Sequence, residues 1–249
     1  MYDYFIEYMR GKFGKCLRMV VYHTFYNNIL PMRSGELAFP VLMKQYFDVS
    51  VVRTLPALIW FRALDLHILV LTGISCLILI ADLKAVYALI PAVLIITPVL
   101  VLPVRNIIRD TISSRTSRPF ALVRTLIEGI PANTAVYYRQ WLLTAVNWTI
   151  KLTVFAWIMQ RFVAIPYATA LLASLLGETS TVLPIQGIAG AGTYEGGIML
   201  GLASSRADTG HALQAAIGVH VFILGAITLT AAVTFIADIF SRSFVSTDT

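Results

Sequence analysis

Residues 27–36 (NNILPMRSGE) and 181–195 (TVLPIQGIAGAGTYE) each interrupt an apolar part of the chain. Both stretches read Leu-Pro, then glycine, then glutamate. A broken helix exposes backbone N–H and C=O groups that hydrocarbon cannot satisfy, so a break persists in a membrane only where protein or a wet cavity covers it. Interrupted apolar segments in both halves of a chain are typical of transport sites between structural repeats. The two breaks therefore predict where the function lies.

The composition is that of an integral membrane protein. Hydrophobic residues make up 58% of the 249 residues and charged residues 13%, whereas soluble domains have about 25% charged residues. Because the alternation of period two that marks a β-barrel is missing over most of the chain, we expect an all-α bundle, a single membrane domain over residues 1–249. Cys16 and Cys76 are interpreted as small buried apolar residues rather than a disulfide or metal pair.

The apolar pattern divides the chain into spans and breaks. A membrane-spanning helix needs about 20 apolar residues. The pattern predicts two spans within 55–104 and two within 141–177, the second of which, 162–177, is short. A last span is predicted at 211–238. The first break belongs to a re-entrant region at 16–47 and the second to a broken region at 178–205. Their placement suggests pseudo-symmetric repeats, either inverted or parallel.

Residues 105–139 form a basic polar loop between the spans. This stretch carries six arginines against Asp110 and Glu128, and connections rich in Arg and Lys stay on the cytoplasmic side. We therefore expect a multi-pass protein of the cytoplasmic (inner) membrane with this loop inside. Within it, residues 119–129 have the pattern of a short amphipathic helix, which either lies on the inner leaflet or packs beneath the bundle.

Charged residues inside the predicted spans are candidate site residues, because charge is unfavourable in hydrocarbon and usually faces a bundle interior or an aqueous path. Arg62 and Asp65, three residues apart, share a helix face. They form either a mutual ion pair or an anion-binding site that uses the arginine fork. Lys151 has no acid one turn away, so its partner must be distant. The candidates are Glu36, Glu178, Glu195 and an anionic headgroup.

The residues at the breaks have structural and chemical interpretations. Glutamates there either pair with the cations or couple transport to protons or other cations. The glycine pairs 192/196 and 197/201 have the spacing that lets helices pack closely. His220, in an apolar span, is interpreted as a hydrogen-bonded core histidine in preference to a proton relay. No metal-ligand or cofactor pattern is found. The predicted structural breaks are Pro31, Gly35, Pro184, Gly187, Gly190 and Gly192.

These patterns resemble the lysylphosphatidylglycerol synthase transmembrane-region family. That family carries N-x-x-x-P-x-R-x-G-E, present here at residues 27–36, followed by R-x-x-D, present at residues 62–65. Its second signature, Leu-Pro followed by glycines and a glutamate, is matched by residues 183–195. The family includes the membrane half of the multiple peptide resistance factor, to which lipid flipping is assigned. The resemblance implicates Asn28, Pro31, Arg33, Gly35, Glu36, Arg62, Asp65, Pro184, Gly192 and Glu195.

The expected function is translocation of an anionic phospholipid or a polyprenyl-phosphate lipid between leaflets. The alternative is a non-transporting subunit or assembly partner of a lipid- or glycolipid-modifying enzyme. We expect no enzymatic activity, because the chain ends at Thr249 without the soluble transferase domain of the synthases. A third interpretation, an intramembrane lipid transferase that uses Glu36 or Glu195, is disfavoured because a donor-binding motif is also missing. The chain is either a short member or one whose native start lies upstream of Met1. A homo-oligomer or an enzyme partner is compatible with this interpretation, and nucleic acid is not expected. The candidate translocation residues are Asn28, Arg33, Glu36, Arg62, Asp65, Lys151, Glu178 and Glu195.

Overall fold

The described part of the chain is helical and contains four helices long and apolar enough to cross a membrane. A computed structural model describes residues 1–112, 117–181, 187–203, 205 and 207–245, except the side chains of residues 32, 33, 118, 119, 121, 122 and 241–245. No strand occurs in these ranges. The predicted all-α membrane fold is confirmed. The four membrane-length segments are Val51–Ile80, Ala85–Ile112, Thr134–Met159 and Thr209–Phe240.

The first break separates two helices that pack against each other. After the single turn α1 (Ile6–Met9), α2 (Phe13–Ile29) runs into a 3-10 helix (Pro31–Leu37) and then α3 (Ala38–Phe47). Leu30 is extended, with ψ of 137°, because a following proline disfavours the helical conformation. The 3-10 helix folds back onto α2, where a Cβ on Gly35 would lie 2.4 Å from the Asn27 backbone. Re-entry of this hairpin into the membrane stays a prediction.

Two long helices follow. Helix α4 (Val51–Ile80) covers the predicted span 55–80 and starts one turn earlier. A short 3-10 turn (Ala85–Ala88) then leads into α5 (Leu89–Ile112). Both helices contain internal prolines, which are tolerated in membrane helices because neighbouring groups satisfy the freed backbone atoms.

The basic stretch 105–139 is more helical than a loop. Helix α5 continues to Ile112, α6 spans Arg118–Glu128 close to the predicted amphipathic helix, and α7 (Thr134–Met159) begins before the predicted span. The early start of α7 has a local cause, since the Asn133 side chain caps it by accepting from the N–H groups of Ala135 and Val136. The cytoplasmic placement of this stretch stays a prediction.

The second break also separates two helices, and here the structure differs from the predicted span at 162–177. Helix α8 (Tyr167–Ser180) has only 14 residues, fewer than the ~17–25 that cross a bilayer. It pairs with α9 (Thr193–Leu202) across the break, which includes a 3-10 turn at Ile188–Gly190. A Cβ on Gly201 would lie 2.3 Å from Ala173 Cα, so the two helices touch through small residues.

Helix α10 (Thr209–Val245) closes the bundle by packing on α2, α7 and α9. Its buried residues join those of α7, α8 and α9 in the larger apolar core, while a second core surrounds α2, α3 and the N-terminal turn. Each half thus has the order helix, break, helix, long helix. The internal symmetry that this order suggests stays a prediction.

Candidate functional site

The two helix breaks meet, although they are far apart in the sequence. The 3-10 helix Pro31–Leu37 contacts the 3-10 turn Ile188–Gly190, and α2 contacts the same turn. Beside this junction is a cavity of about 110 Å³, mostly polar in its walls. Its lining comes from α2, α4, α7, α8, α9, α10 and the second break: Asn27, Asn28, Arg62, Trp148, Lys151, Glu178, Thr181, Ala189, Gly190, Tyr194, His220 and Ile223.

Arg62 joins the first break to α4. Its Nη1 lies 2.7 Å from Asp65 Oδ2, and its Nε lies 3.1 Å from Glu36 Oε1. Trp148 of α7 donates its indole N–H to Asp65 Oδ1 at 2.8 Å, which leaves both oxygens of that carboxylate engaged. The i, i+3 pair predicted from the sequence is therefore present, and the arginine also holds the glutamate that ends the first motif.

Lys151 pairs across two helices. Its Nζ lies 2.6 Å from Glu178 Oε2, so of the partners proposed from the sequence the structure selects Glu178. The ammonium also lies 4.7 Å from the centre of the Trp148 ring and 5.6 Å from that of Phe155. Such cation–π contacts stabilise a partly desolvated cation.

Glu195 and His220 tie the second break to α10. His220 Nδ1 lies 2.6 Å from Glu195 Oε1, and His220 Nε2 lies 2.9 Å from the Ala189 carbonyl oxygen. The other carboxylate oxygen of Glu195 accepts the Gly192 N–H at 2.8 Å. Ala189 and Gly192 both have positive φ, 55° and 84°. The pair therefore holds a backbone of positive φ in place at two points, of which the non-glycine Ala189 is the strained one.

Charged side chains of both signs meet at this junction. Among the described side chains these are the cations Arg62 and Lys151 and the carboxylates of Glu36, Asp65, Glu178 and Glu195.

A larger groove adjoins the small cavity. Its volume is about 500 Å³, which falls within the ~300–1,000 Å³ of ordinary ligand sites. Both linings contain Asn27, Asn28, Arg62, Trp148 and Lys151, so the ion pairs lie where the two spaces join. The groove runs from this junction to the N-terminal residues, and its walls combine apolar side chains with the polar residues Thr24, Asp65, Gln140, Thr144 and Asn147.

Seven of the eight candidate translocation residues lie at this junction. Asn28 lines both spaces and donates its side-chain N–H to the Thr24 carbonyl at 2.8 Å. The eighth, Arg33, belongs to the 3-10 helix of the first break, but its side chain lies outside the described residues. Besides Asn28, the residues that meet at the junction are Glu36, Arg62, Asp65, Lys151, Glu178 and Glu195. The structure shows that these residues lie together, and their roles in translocation stay predictions.

The predicted structural breaks are partly described. Pro31 opens the 3-10 helix, Gly35 makes the close approach to α2, and a Cβ on Gly187 would lie 3.0 Å from the Ala191 carbonyl oxygen. Gly190 and Gly192 have φ of 79° and 84°, which glycine adopts without strain. Pro184 lies outside the described residues.

Sequence reasoning did not select six residues that line the cavity, and it left His220 as a core residue. The histidine is indeed buried and hydrogen-bonded, but it also faces the cavity. The position of Trp148, three residues before Lys151, was a usable signal, because positions three apart share a helix face. Four of the others lie within the two break sequences, and nothing in the sequence pattern distinguished Ile223. The six are Asn27, Trp148, Thr181, Ala189, Tyr194 and Ile223.

Comparison with known proteins agrees with this architecture. Searches against curated proteins and against solved structures return no match. The family model described as the lysylphosphatidylglycerol synthase TM region matches residues 2–231. That stretch takes in both breaks and every residue of the cavity, so the resemblance noted from the motifs is confirmed. The chain is thus an integral membrane protein that belongs to the lysylphosphatidylglycerol synthase TM region family.

Proposed function

We propose that this protein translocates a phosphate-bearing anionic lipid between membrane leaflets. The observation that supports the proposal is the ion-paired cavity at the junction of the two helix breaks. A charged side chain at the centre of a membrane helix costs about 2.5–3.5 kcal/mol. Gathering several such residues around one polar space favours a path for a headgroup over a purely structural role. The acyl or prenyl chains would stay in the bilayer.

Lys151 is the residue best placed to receive the phosphate. It lies where the small cavity meets the groove, and it is held by one carboxylate, at a single contact. A phosphate oxygen that replaces Glu178 as its partner supplies the differential interaction on which any conformational change depends. Glu178 would then lack its cation, so binding of the anion would release α8 from α7 at this contact.

Arg62 has a different role in this proposal. Its two carboxylate partners come from the first break and from its own helix, so it connects the cavity to the region that would rearrange. Its planar fork binds phosphate as well as carboxylate. A headgroup that competes for one of these contacts would loosen the first break from α4.

The test is lipid movement in proteoliposomes that contain the purified protein. Two labelled lipids, an anionic phospholipid and a polyprenyl phosphate, distinguish the two sources of the phosphate. Lys151→Ala should abolish movement of the substrate lipid. Lys44→Ala is the matched control, because Lys44 also pairs with a carboxylate, Asp48, but on an exposed surface.

The outcomes separate the proposal from its alternative. Transport that is lost in Lys151→Ala and kept in Lys44→Ala supports translocation. Wild-type protein that is folded but moves neither lipid, with or without a proton gradient, contradicts the proposal. That result would favour a non-transporting partner of a lipid- or glycolipid-modifying enzyme.

A further inference from the structure

The hydrogen bonds of His220 fix how many protons it shares with Glu195. Its Nε2 lies 2.9 Å from the Ala189 carbonyl oxygen, which only accepts, so Nε2 carries a hydrogen. A neutral imidazole has one N–H. If His220 is neutral, Nδ1 is therefore an acceptor, and it lies 2.6 Å from Glu195 Oε1. This contact is favourable only when a second proton sits between the two atoms, on the imidazole or on the carboxyl group.

Loss of that second proton has a structural consequence. The imidazole lone pair would then face a carboxylate oxygen across 2.6 Å, and two acceptors at that separation repel each other. The contact joins the backbone of the second break to α10, because Glu195 also accepts the Gly192 N–H and His220 donates to the Ala189 carbonyl. One proton thus closes a clamp between α10 and the end of the second break next to α9.

The groups around the pair place it in the proposed headgroup path. On α9 the Tyr194 ring packs against the imidazole, with ring centres 4.7 Å apart. The other titratable or charged groups of the cavity are Glu178 on α8, Lys151 on α7 and Arg62 on α4, while α2 contributes only two asparagines. The shared proton and the proposed phosphate partner therefore occupy the same small space.

We propose that the Glu195–His220 pair is the binding site of a coupling proton, so that lipid movement is driven by a proton gradient. This inference rests on the function proposed above and adds its energy source. With the proton bound, the clamp holds the break against α10. When the proton leaves, the clamp opens and the segment 187–196 is released beside Lys151. The bound species is H⁺ alone, and no covalent bond to carbon changes.

Glu195→Gln tests the proposal without removing a contact. The glutamine oxygen can accept the Gly192 N–H, and its amide N–H can donate to Nδ1 of a neutral His220. With neutral His220 all of the clamp's hydrogen bonds are kept, and they no longer need a shared proton. His220→Phe has the opposite effect, because it removes both contacts of His220, to Glu195 and to Ala189, at every pH. Glu7→Gln is the matched control, since Glu7 is 76% exposed and lies outside the cavity.

Two measurements are made on each reconstituted protein. One is lipid movement with and without an imposed proton gradient. The other is the hydrogen-exchange rate of residues 187–196 over a range of pH. Each rate is divided by the rate of the unfolded peptide at the same pH, so that only protection by the structure is compared. Protection of α4 and α7 in the same experiment shows that each variant is folded.

The expected results differ for each variant. Wild type and Glu7→Gln should show gradient-driven movement, and their segment 187–196 should lose protection as the pH rises. Glu195→Gln should lose the gradient-driven component and keep the segment protected as the pH rises, whereas His220→Phe should leave it less protected than wild type throughout.

Two results would overturn the inference. In one, lipid movement by Glu195→Gln responds to the proton gradient as wild type does. In the other, the protection of residues 187–196 in wild type does not change with pH. If no protein moves lipid but the exchange results are as expected, the proposed transport function fails while the proton site stands.

Discussion

Lys151 and Glu178 are 27 residues apart, and their ion pair joins α7 to α8 beside the second break. The Glu178 side chain is 10% exposed and the Lys151 side chain 35%. Removing one partner of a buried pair is more destabilising than removing both, because it leaves an uncompensated charge. A comparison of single and double variants of this pair therefore separates what the ion pair contributes to folding stability from what it contributes to transport.

Lys151→Met should lower the free energy of unfolding by about 2 kcal/mol, less than the ~3–5 kcal/mol of a fully buried pair, because the lysine is partly exposed. The double variant Lys151→Met/Glu178→Gln should recover most of that stability without recovering transport. Unfolding in detergent and the vesicle assay measure the two properties. A double variant that transports like wild type would show that the pair is structural only.

Arg62→Lys should weaken transport more than it weakens the fold. A lysine ammonium is a compact charge and lacks the fork that reaches Glu36 and Asp65 together, so one contact is lost while the positive charge stays. Arg53→Lys is the control, because Arg53 pairs with Glu7 on an exposed surface. Equal transport by Arg62→Lys and wild type in the vesicle assay would contradict a role for the fork.

Gly201→Ala should destabilise the protein by about 1–3 kcal/mol, the usual effect of overpacking. Its Cβ would lie 2.3 Å from Ala173 Cα, so α8 and α9 would have to separate. Gly196→Ala on the same helix is the control, because its Cβ would meet nothing within 4 Å. Thermal unfolding of the two variants in the same detergent compares them. Similar melting temperatures would mean that the close approach of the two helices is not required.

Asp238→Ala should loosen the packing of α2 on α10. The carboxylate lies 2.7 Å from Arg18 Nε and accepts the Tyr22 hydroxyl hydrogen at 3.0 Å. Tyr22→Phe removes only the second contact and should cost about 1 kcal/mol, a typical hydrogen bond, whereas Asp238→Ala should cost more. Asp110→Ala is the exposed control. Hydrogen exchange of α2 measures the loosening. The loss of protection should be largest in Asp238→Ala, smaller in Tyr22→Phe and smallest in Asp110→Ala, and any other order would refute this assignment.

The features that the sequence predicted well depend on local chemistry. The proline and glycine positions place both breaks, and the i, i+3 spacing of Arg62 and Asp65 gives their ion pair. The long spans follow from apolar length alone. Each of these signals lies within a few consecutive residues, so no tertiary information is needed to recognise it.

The parts that were harder to predict depend on contacts between distant segments. Lys151 had three possible acidic partners, and only the packing of α7 on α8 selects Glu178. Apolarity alone suggested that residues 162–177 cross the membrane, but most of that stretch belongs to the 14-residue helix α8, which packs closely on α9 through small residues. His220 is indistinguishable by composition from an ordinary core histidine until the second break folds onto α10.

The spacing of the ion pairs has a consequence for biosynthesis. Each basic side chain of the cavity has a carboxylate partner no more than 27 residues away along the chain: Arg62 has Asp65 and Glu36, Lys151 has Glu178, and His220 has Glu195. The growing polypeptide therefore does not have to leave these cavity charges alone in the bilayer while it waits for the opposite end to be made. Neighbouring helices can leave the translocon as neutral pairs, and the two halves need to meet only afterwards, when the breaks close on each other.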